Sequence, residues 1–257
     1  MTSEGRLRIV SWNCAGALHR KWQHVLALEP DIAIISESCL PERLGFPRSV
    51  EGQSTNSDWV GSLHFKGLGV FTFGDWRLSR LPTYDQRLEW ILPLQVSGPV
   101  GFTLIAVWAM NHRSKQPIPP GWGTSQALAA ADVYDLERID GPVVITGDFN
   151  SAPVWDTPRR PRFANLISRY DRLQLQSAYH ASTGERFGEE SKPTHWWRER
   201  SETGTNFHID YTFIPQDWVP AATTELGGFD SWCTQAGSDH APIIVDIELA
   251  ELPDLRH

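Results

Sequence analysis

Residues 6 to 38 constrain the fold more than any other stretch. "RLRIVSW" (6–12) reads as a strand. "RKWQHVLALEP" (20–30) carries Trp22, Val25, Leu26 and Leu28 at roughly helical spacing and stops at Pro30. "DIAIISES" (31–38) is a continuous apolar run, the mark of a strand buried on both faces. Strand, helix and strand within about 33 residues is the size of a βαβ unit. A chain that begins this way is committed to a sheet with helices packed on it.

The middle changes character. "SLHFKGLGVFTFG", "WRLSRLP", "EWILPLQVSG" and "GFTLIAVWAM" are short β-type runs broken by Gly and Pro, which predicts consecutive antiparallel pairing. A Pro/Gly-rich loop covers 111–123. Helices are expected over 125–139 and 162–173, and "GPVVITGDFN" is the strand between them. "PTHWW", "FHIDYTFIP" and "APIIVDIEL" close the chain as strands. No linker, repeat or low-complexity segment interrupts it, so residues 1–257 read as one α/β domain with helices on the outer faces of a mixed sheet system.

Several of these strands end in polar groups. "IVSWN" ends in Asn13, Glu37 sits at the end of "IAIISES", and "VVITGDFN" delivers Asp148 and Asn150. Asp210 lies inside an otherwise β-branched and aromatic run, and Asp239 and His240 precede the last strand. Each would be costly to bury alone. Singly, each has an ordinary reading. Asp148 and Asn13 suit turns or helix caps, Glu37 a solvated strand end, and "SDH" a cap. Together they could converge on one sheet edge. Oxygen-only ligands suit a hard cation such as Mg²⁺ or Mn²⁺. A lone neutral His among acids suits general acid/base work. Metal and base together are the toolkit of phosphoester hydrolysis.

The motifs "SWN" (11–13), "ISES" with Glu37, "GDFN" (147–150), "HIDY" (208–211) and "GSDHAPI" (237–243) occur in the order of the endonuclease/exonuclease/phosphatase superfamily, which the chain resembles from end to end. The resemblance implies a four-layer α/β sandwich, two mixed β-sheets packed face to face with helices outside. It implies Glu37 as the main Mg²⁺ (or Mn²⁺) ligand, with Asn13 and Asp239 close by. Asp148 and Asn150 would orient or activate the attacking water, and His240 would act on the scissile phosphate with its tautomer fixed by Asp210. One station departs from the pattern. Trp108 stands where the family places a His or Tyr beside the phosphate, while Asn111 keeps the family's Asn. An indole donates one hydrogen bond and cannot act as an acid. His112 and Arg113 follow at once and could compensate; Trp108 reads equally as core packing.

The substrate is less constrained. Net charge is −8 and the pI about 5.6, which argues against broad electrostatic adhesion to nucleic acid but leaves room for a local basic groove. Arg159, Arg160 and Arg162 follow "GDFN" closely and could position phosphates, or line a solvated loop. "THWWRER" adds Trp196, Trp197, Arg198 and Arg200, a patch that could stack bases or be core and surface. A nuclease acting on DNA is favoured. A phosphatase or phosphodiesterase for a small molecule or lipid headgroup is the alternative, and a binding module that lost catalysis at Trp108 is the third reading. Cys14, Cys39 and Cys233 make neither a disulfide framework nor a zinc pattern. The N-terminus lacks a signal peptide's apolar run and no stretch reaches 18 apolar residues, so a cytoplasmic monomer with no membrane span is expected.

Overall fold

The computed structural model describes residues 5–47, 53–109, 125–197 and 201–253. In chain order the elements are β1 (Arg6–Asn13), α1 (Leu18–Leu26), β2 (Ile32–Ser38), β3 (Ser57–Leu63), β4 (Lys66–Thr72), β5 (Arg77–Arg80), β6 (Ile91–Ser97) and β7 (Phe102–Trp108). There follow α2 (Gln126–Val133), β8 (Val143–Asp148), α3 (Arg162–Arg172), β9 (Leu175–Ser177), α4 (Ala178–Thr183), β10 (His195–Trp196), β11 (Asn206–Phe207), β12 (Asp210–Pro215), β13 (Ala222–Leu226) and β14 (Ile243–Glu248). They build two six-stranded mixed sheets, ordered β13-β14-β1-β2-β4-β3 and β5-β6-β7-β8-β12-β9. With helices on the outer faces this is a four-layer α/β sandwich. A separate two-stranded ribbon, β10–β11, stands at one end.

The βαβ reading of residues 6–38 holds, since β1 and β2 pair in parallel from Ile9↔Ile32 to Asn13↔Ser36. The continuous apolar run of β2 has a simple cause. Ile32 and Ile34 point into the core between the sheets, while Ala33 and Ile35 point outward to the cluster under α1. β7 does the same: Leu104, Ala106 and Trp108 face between the sheets, and Ile105, Val107 and Ala109 face the cluster under α2 and α3.

The middle strands pair antiparallel as expected, β3 with β4, β5 with β6 and β6 with β7, but they divide between the two sheets after β4. The helix expected over 125–139 is shorter. It stops at Val133, Asp135 takes a left-handed backbone, and a 3-10 turn at Leu136–Arg138 follows. The helix expected over 162–173 is α3, whose first free amides, Phe163 and Ala164, donate to the Asp156 carboxylate. No helix among the described residues is long and apolar enough to cross a membrane.

Candidate active site

The alternation of the strands places the polar residues. In β1 the inward row runs Leu7, Ile9, Ser11 and ends in Asn13; in β8 it runs Val144, Thr146 and ends in Asp148. β12 runs antiparallel to β8 and enters with Asp210 opposite Asp148, followed inward by Thr212 and Ile214. Each strand therefore carries apolar side chains through the core and a polar one at the mouth between the sheets. A Cβ on Gly147 would lie 1.8 Å from the Val107 carbonyl oxygen, and its φ is +148°, so only glycine fits immediately before Asp148.

The side chains meet there. Asp148, Asp210 and His240 are nearly fully buried, and a ligand atom from each lies within 4.8 Å of the others. The two sheets are joined across this mouth. Asn13 Nδ2 donates to Asp148 Oδ2 (3.0 Å), and Ala15 N–H donates to Asn13 Oδ1, which fixes the amide's orientation. Asn150 donates twice to Asp148, from its backbone N–H and from Nδ2, and it holds a left-handed backbone to do so. His240 Nδ1 lies 2.8 Å from Asp210 Oδ2. Ser238 Oγ accepts from His240 N–H and donates to Asn13 O, tying the "SDH" turn to β1. Thr194 Oγ1 accepts from the Ile209 and Asp210 amides and holds the entry to β12.

Burial, with the Asp210 charge beside it, pushes the Asp148 carboxyl up to about 7. Three N–H donors on its oxygens favour the ionised form and partly oppose that rise. Burial works against a charged His240, but the charge and hydrogen bond of Asp210, with Asp148 behind it, override this and lift the ring to about 9. Asp210 Oδ1 is buried with no hydrogen-bond partner. Two buried carboxylates around one imidazolium, with an oxygen left over, form a donor set suited to a hard cation.

Glu37 sits on a β-bulge, where the register of β2 against β4 shifts between Ser36 and Ser38, with a left-handed φ of 59°. This turns it out of the ladder, and its Oε2 is 3.0 Å from Lys66 Nζ. Asp239 is half-buried; its carbonyl accepts from Trp196 N–H, and its charge acts on both His240 and His195. Trp108 pairs in register with Asp148 on the same sheet face. Its indole is only 1% exposed, packs on Trp90 at 4.9 Å within the inter-sheet core, and lies 5.5 Å beneath the Lys66 ammonium. Trp108→His is therefore expected to lower the melting temperature by removing buried apolar volume, with no gain in turnover. Higher turnover at an unchanged melt would contradict this. Asn111, His112, Arg113, Arg198 and Arg200 lie outside the described residues. Arg159 and Arg160 are exposed on a turn closed by Arg160 N–H to Thr157 O, and Arg162 opens α3.

The sequence reading missed Lys66, Thr194, Ser238 and His195. His195 sits on the ribbon next to His240, with ring centroids 4.5 Å apart. No spacing signalled it, because the contact depends on the ribbon folding back over the last turn.

The model of the Endonuclease/Exonuclease/phosphatase family matches residues 10–240. The chain belongs to this family. No curated protein matches it in sequence. Among solved structures, a 3'-5' exonuclease from Neisseria meningitidis superposes with a TM-score of 0.64 at 16% identity, covering 94% of this chain and 100% of that one. An AP endonuclease from Archaeoglobus fulgidus gives 0.65 at 13% identity over 93% and 98%. The endonuclease domain of TRAS1, a telomere-specific non-LTR retrotransposon, gives 0.61 at 17% over 95% and 99%. At these identities the likeness establishes the fold.

Proposed function

We propose that the protein is a divalent-cation-dependent phosphodiesterase acting on nucleic acid. The observation that carries this is the buried Asp148–Asp210–His240 cluster, with Asn13 and Asn150 clamped on Asp148. A structural ion pair would need neither the unpartnered Asp210 oxygen nor two asparagines fixed on a second carboxylate. This intact cluster also argues against a binding module without catalysis.

Glu37, Asn13 and Asp239 would hold Mg²⁺ or Mn²⁺, beside the Asp148 and Asp210 carboxylates. When bound, the cation would neutralise phosphate charge and polarise the phosphoryl oxygen. Asp210 holds Nδ1 of His240, which leaves Nε2 to serve the reacting oxygens. His240, charged at neutral pH, donates a proton to the departing oxygen. Asp148, poised near neutrality and oriented by Asn13 and Asn150, accepts the proton of the attacking water. Lys66 holds Glu37 in place from the neighbouring strand β4.

kcat/KM is expected to follow a bell in pH. It rises as Asp148 ionises, through about 7 or lower once a cation is bound, and falls through about 9 as His240 loses its proton. A flat profile between pH 5 and 10 would remove both roles.

The net charge of −8 favours one second reading, a phosphoesterase for a small molecule or lipid headgroup. A panel separates the two. Plasmid, single-stranded DNA, RNA, abasic duplex, bis-p-nitrophenyl phosphate and inositol phosphates are assayed with Mg²⁺ and Mn²⁺. Cleavage of a polynucleotide at higher kcat/KM than any small ester supports the nuclease; turnover confined to small esters overturns it.

A further inference from the structure

Five large apolar side chains are exposed among the described residues: Leu63, Phe65, Val154, Trp155 and Trp197. All lie on segments that lead off the candidate site. Leu63 and Phe65 are on the β3–β4 hairpin beside Lys66, Val154 and Trp155 follow Asn150 closely, and Trp197 directly follows the ribbon strand that carries His195. Two of these side chains, Trp155 and Trp197, connect to the site through a run of rings. His240 lies 4.5 Å from His195, His195 stacks on Phe207 at 6.2 Å, and Phe207 packs on Trp155 at 4.8 Å. Trp197 branches from His195 at 5.9 Å. Exposure rises along this ladder, from 4% at His240 and 6% at His195, through half-buried Phe207, to 47% at Trp155 and 48% at Trp197.

The wall of rings starts on His240 and ends in solvent. Apolar side chains left open beside a polar mouth mark a contact surface. His195 adds a second sign. It is 6% exposed, its Nδ1 is buried without a hydrogen-bond partner, and burial together with the His240 charge holds it down at about 4, so it stays a neutral ring. Beyond Trp155, the exposed Arg159 and Arg160 enter none of the described ion pairs. Flat rings beside guanidinium groups, continuous with a phosphoester centre, match a nucleobase attached to a phosphate backbone.

We propose that the ladder from His195 through Phe207 to Trp155, with Trp197, stacks the unpaired bases next to the scissile phosphate, so that the preferred substrate is single-stranded or frayed nucleic acid. A base held in an intact duplex has both faces covered by its neighbours and cannot use the wall. Stacking also needs little net positive charge, which reconciles a nucleic-acid substrate with a chain of net charge −8. This inference rests on the phosphoester reading of the site.

The test is binding without turnover. Dissociation constants are measured in EDTA by fluorescence anisotropy for a labelled ten-nucleotide single strand, the same strand carrying abasic tetrahydrofuran units, and a blunt duplex. The proteins are wild type, Trp155→Ala, Trp155→Phe and Trp197→Ala. Wild type is expected to prefer the base-bearing strand about tenfold or more over both others. Trp155→Ala and Trp197→Ala each weaken that strand by about 5- to 100-fold, the effect of losing one stacked base, while Trp155→Phe keeps most of the affinity. On the abasic strand all four proteins bind alike. Equal binding of base-bearing and abasic strands by wild type overturns the proposal, as does an equal loss on both strands in Trp155→Ala. Thermal melts check each variant; if Trp155→Ala fails to fold, Phe207→Leu replaces it with the same expectation. Wild-type hydrolysis with Mn²⁺ is followed in parallel. A protein that cleaves phosphodiesters but binds both strands equally loses this inference alone, whereas one that cleaves none loses the phosphoester reading and this inference with it.

Discussion

His240→Ala lowers turnover on a phosphodiester by about 10²- to 10⁴-fold, the range for a positioned proton-transfer group. The ring is nearly fully buried, is bonded through Nδ1 to Asp210, and is held charged at neutral pH by the two carboxylates around it. His195, the other imidazole in contact, is held neutral and cannot supply the proton. Because Asp210 acts through His240, Asp210→Asn adds little to the loss when His240 is already gone. Single and double mutants measured on one chromogenic diester check this. Strictly additive losses would place the two residues in separate functions.

Asp210→Asn also destabilises the metal-free protein, by roughly 3–5 kcal/mol at pH 6, because it leaves the buried His240 charge without its partner. The size depends on pH. His240 is raised from an ordinary 6.5 to about 9 in the folded state, so the stability it contributes is complete below about 6.5 and disappears as the pH climbs through 9. Asp148 acts in the same direction. Its raised carboxyl costs the wild type stability as the pH climbs from about 4 to about 7, and removing the Asp210 charge relieves part of that loss. The gap between wild type and Asp210→Asn in urea unfolding should therefore be clearly wider at pH 6 than at pH 9. A gap that widens with rising pH would mean that His240 is buried neutral.

Much of this architecture was legible in the sequence, and for identifiable reasons. The βαβ start was visible because both faces of β2 are buried, which writes a continuous apolar run. Asp148 and Asn150 were visible only in company: Asp148 alone reads as a turn or cap residue, and it was the number of polar strand ends together that pointed to one sheet edge. What stayed hidden depends on contacts far apart in the chain. "FHIDYTFIP" reads as one strand, yet it splits. Phe207 pairs with His195 in the ribbon, Thr194 takes the Ile209 and Asp210 amides, and the main sheet resumes only at Asp210. The division of the middle strands between sheets leaves no mark in a period-two pattern. Trp108 shows the limit of reading a position by its motif. The backbone stands beside Asp148 as the motif implies, but every position of β7 is buried, so alternation could not reveal that the indole fills the core and that Lys66 covers it. The Lys66–Glu37 pair joins two strands through a bulge that no local signal announced.

The most direct measurement is hydrolysis of bis-p-nitrophenyl phosphate and of plasmid DNA by wild type and Glu37→Gln, with Mg²⁺ or Mn²⁺ and then with excess EDTA. Wild type should cleave with metal, stop in EDTA and recover when metal is restored. Glu37→Gln should need far more metal for a lower rate while its metal-free melt stays close to that of wild type, since Glu37 and its partner Lys66 are both only half-buried. Full activity in EDTA, or a Glu37→Gln protein with unchanged metal requirement and rate, would contradict a cation-assisted centre at the mouth between the sheets.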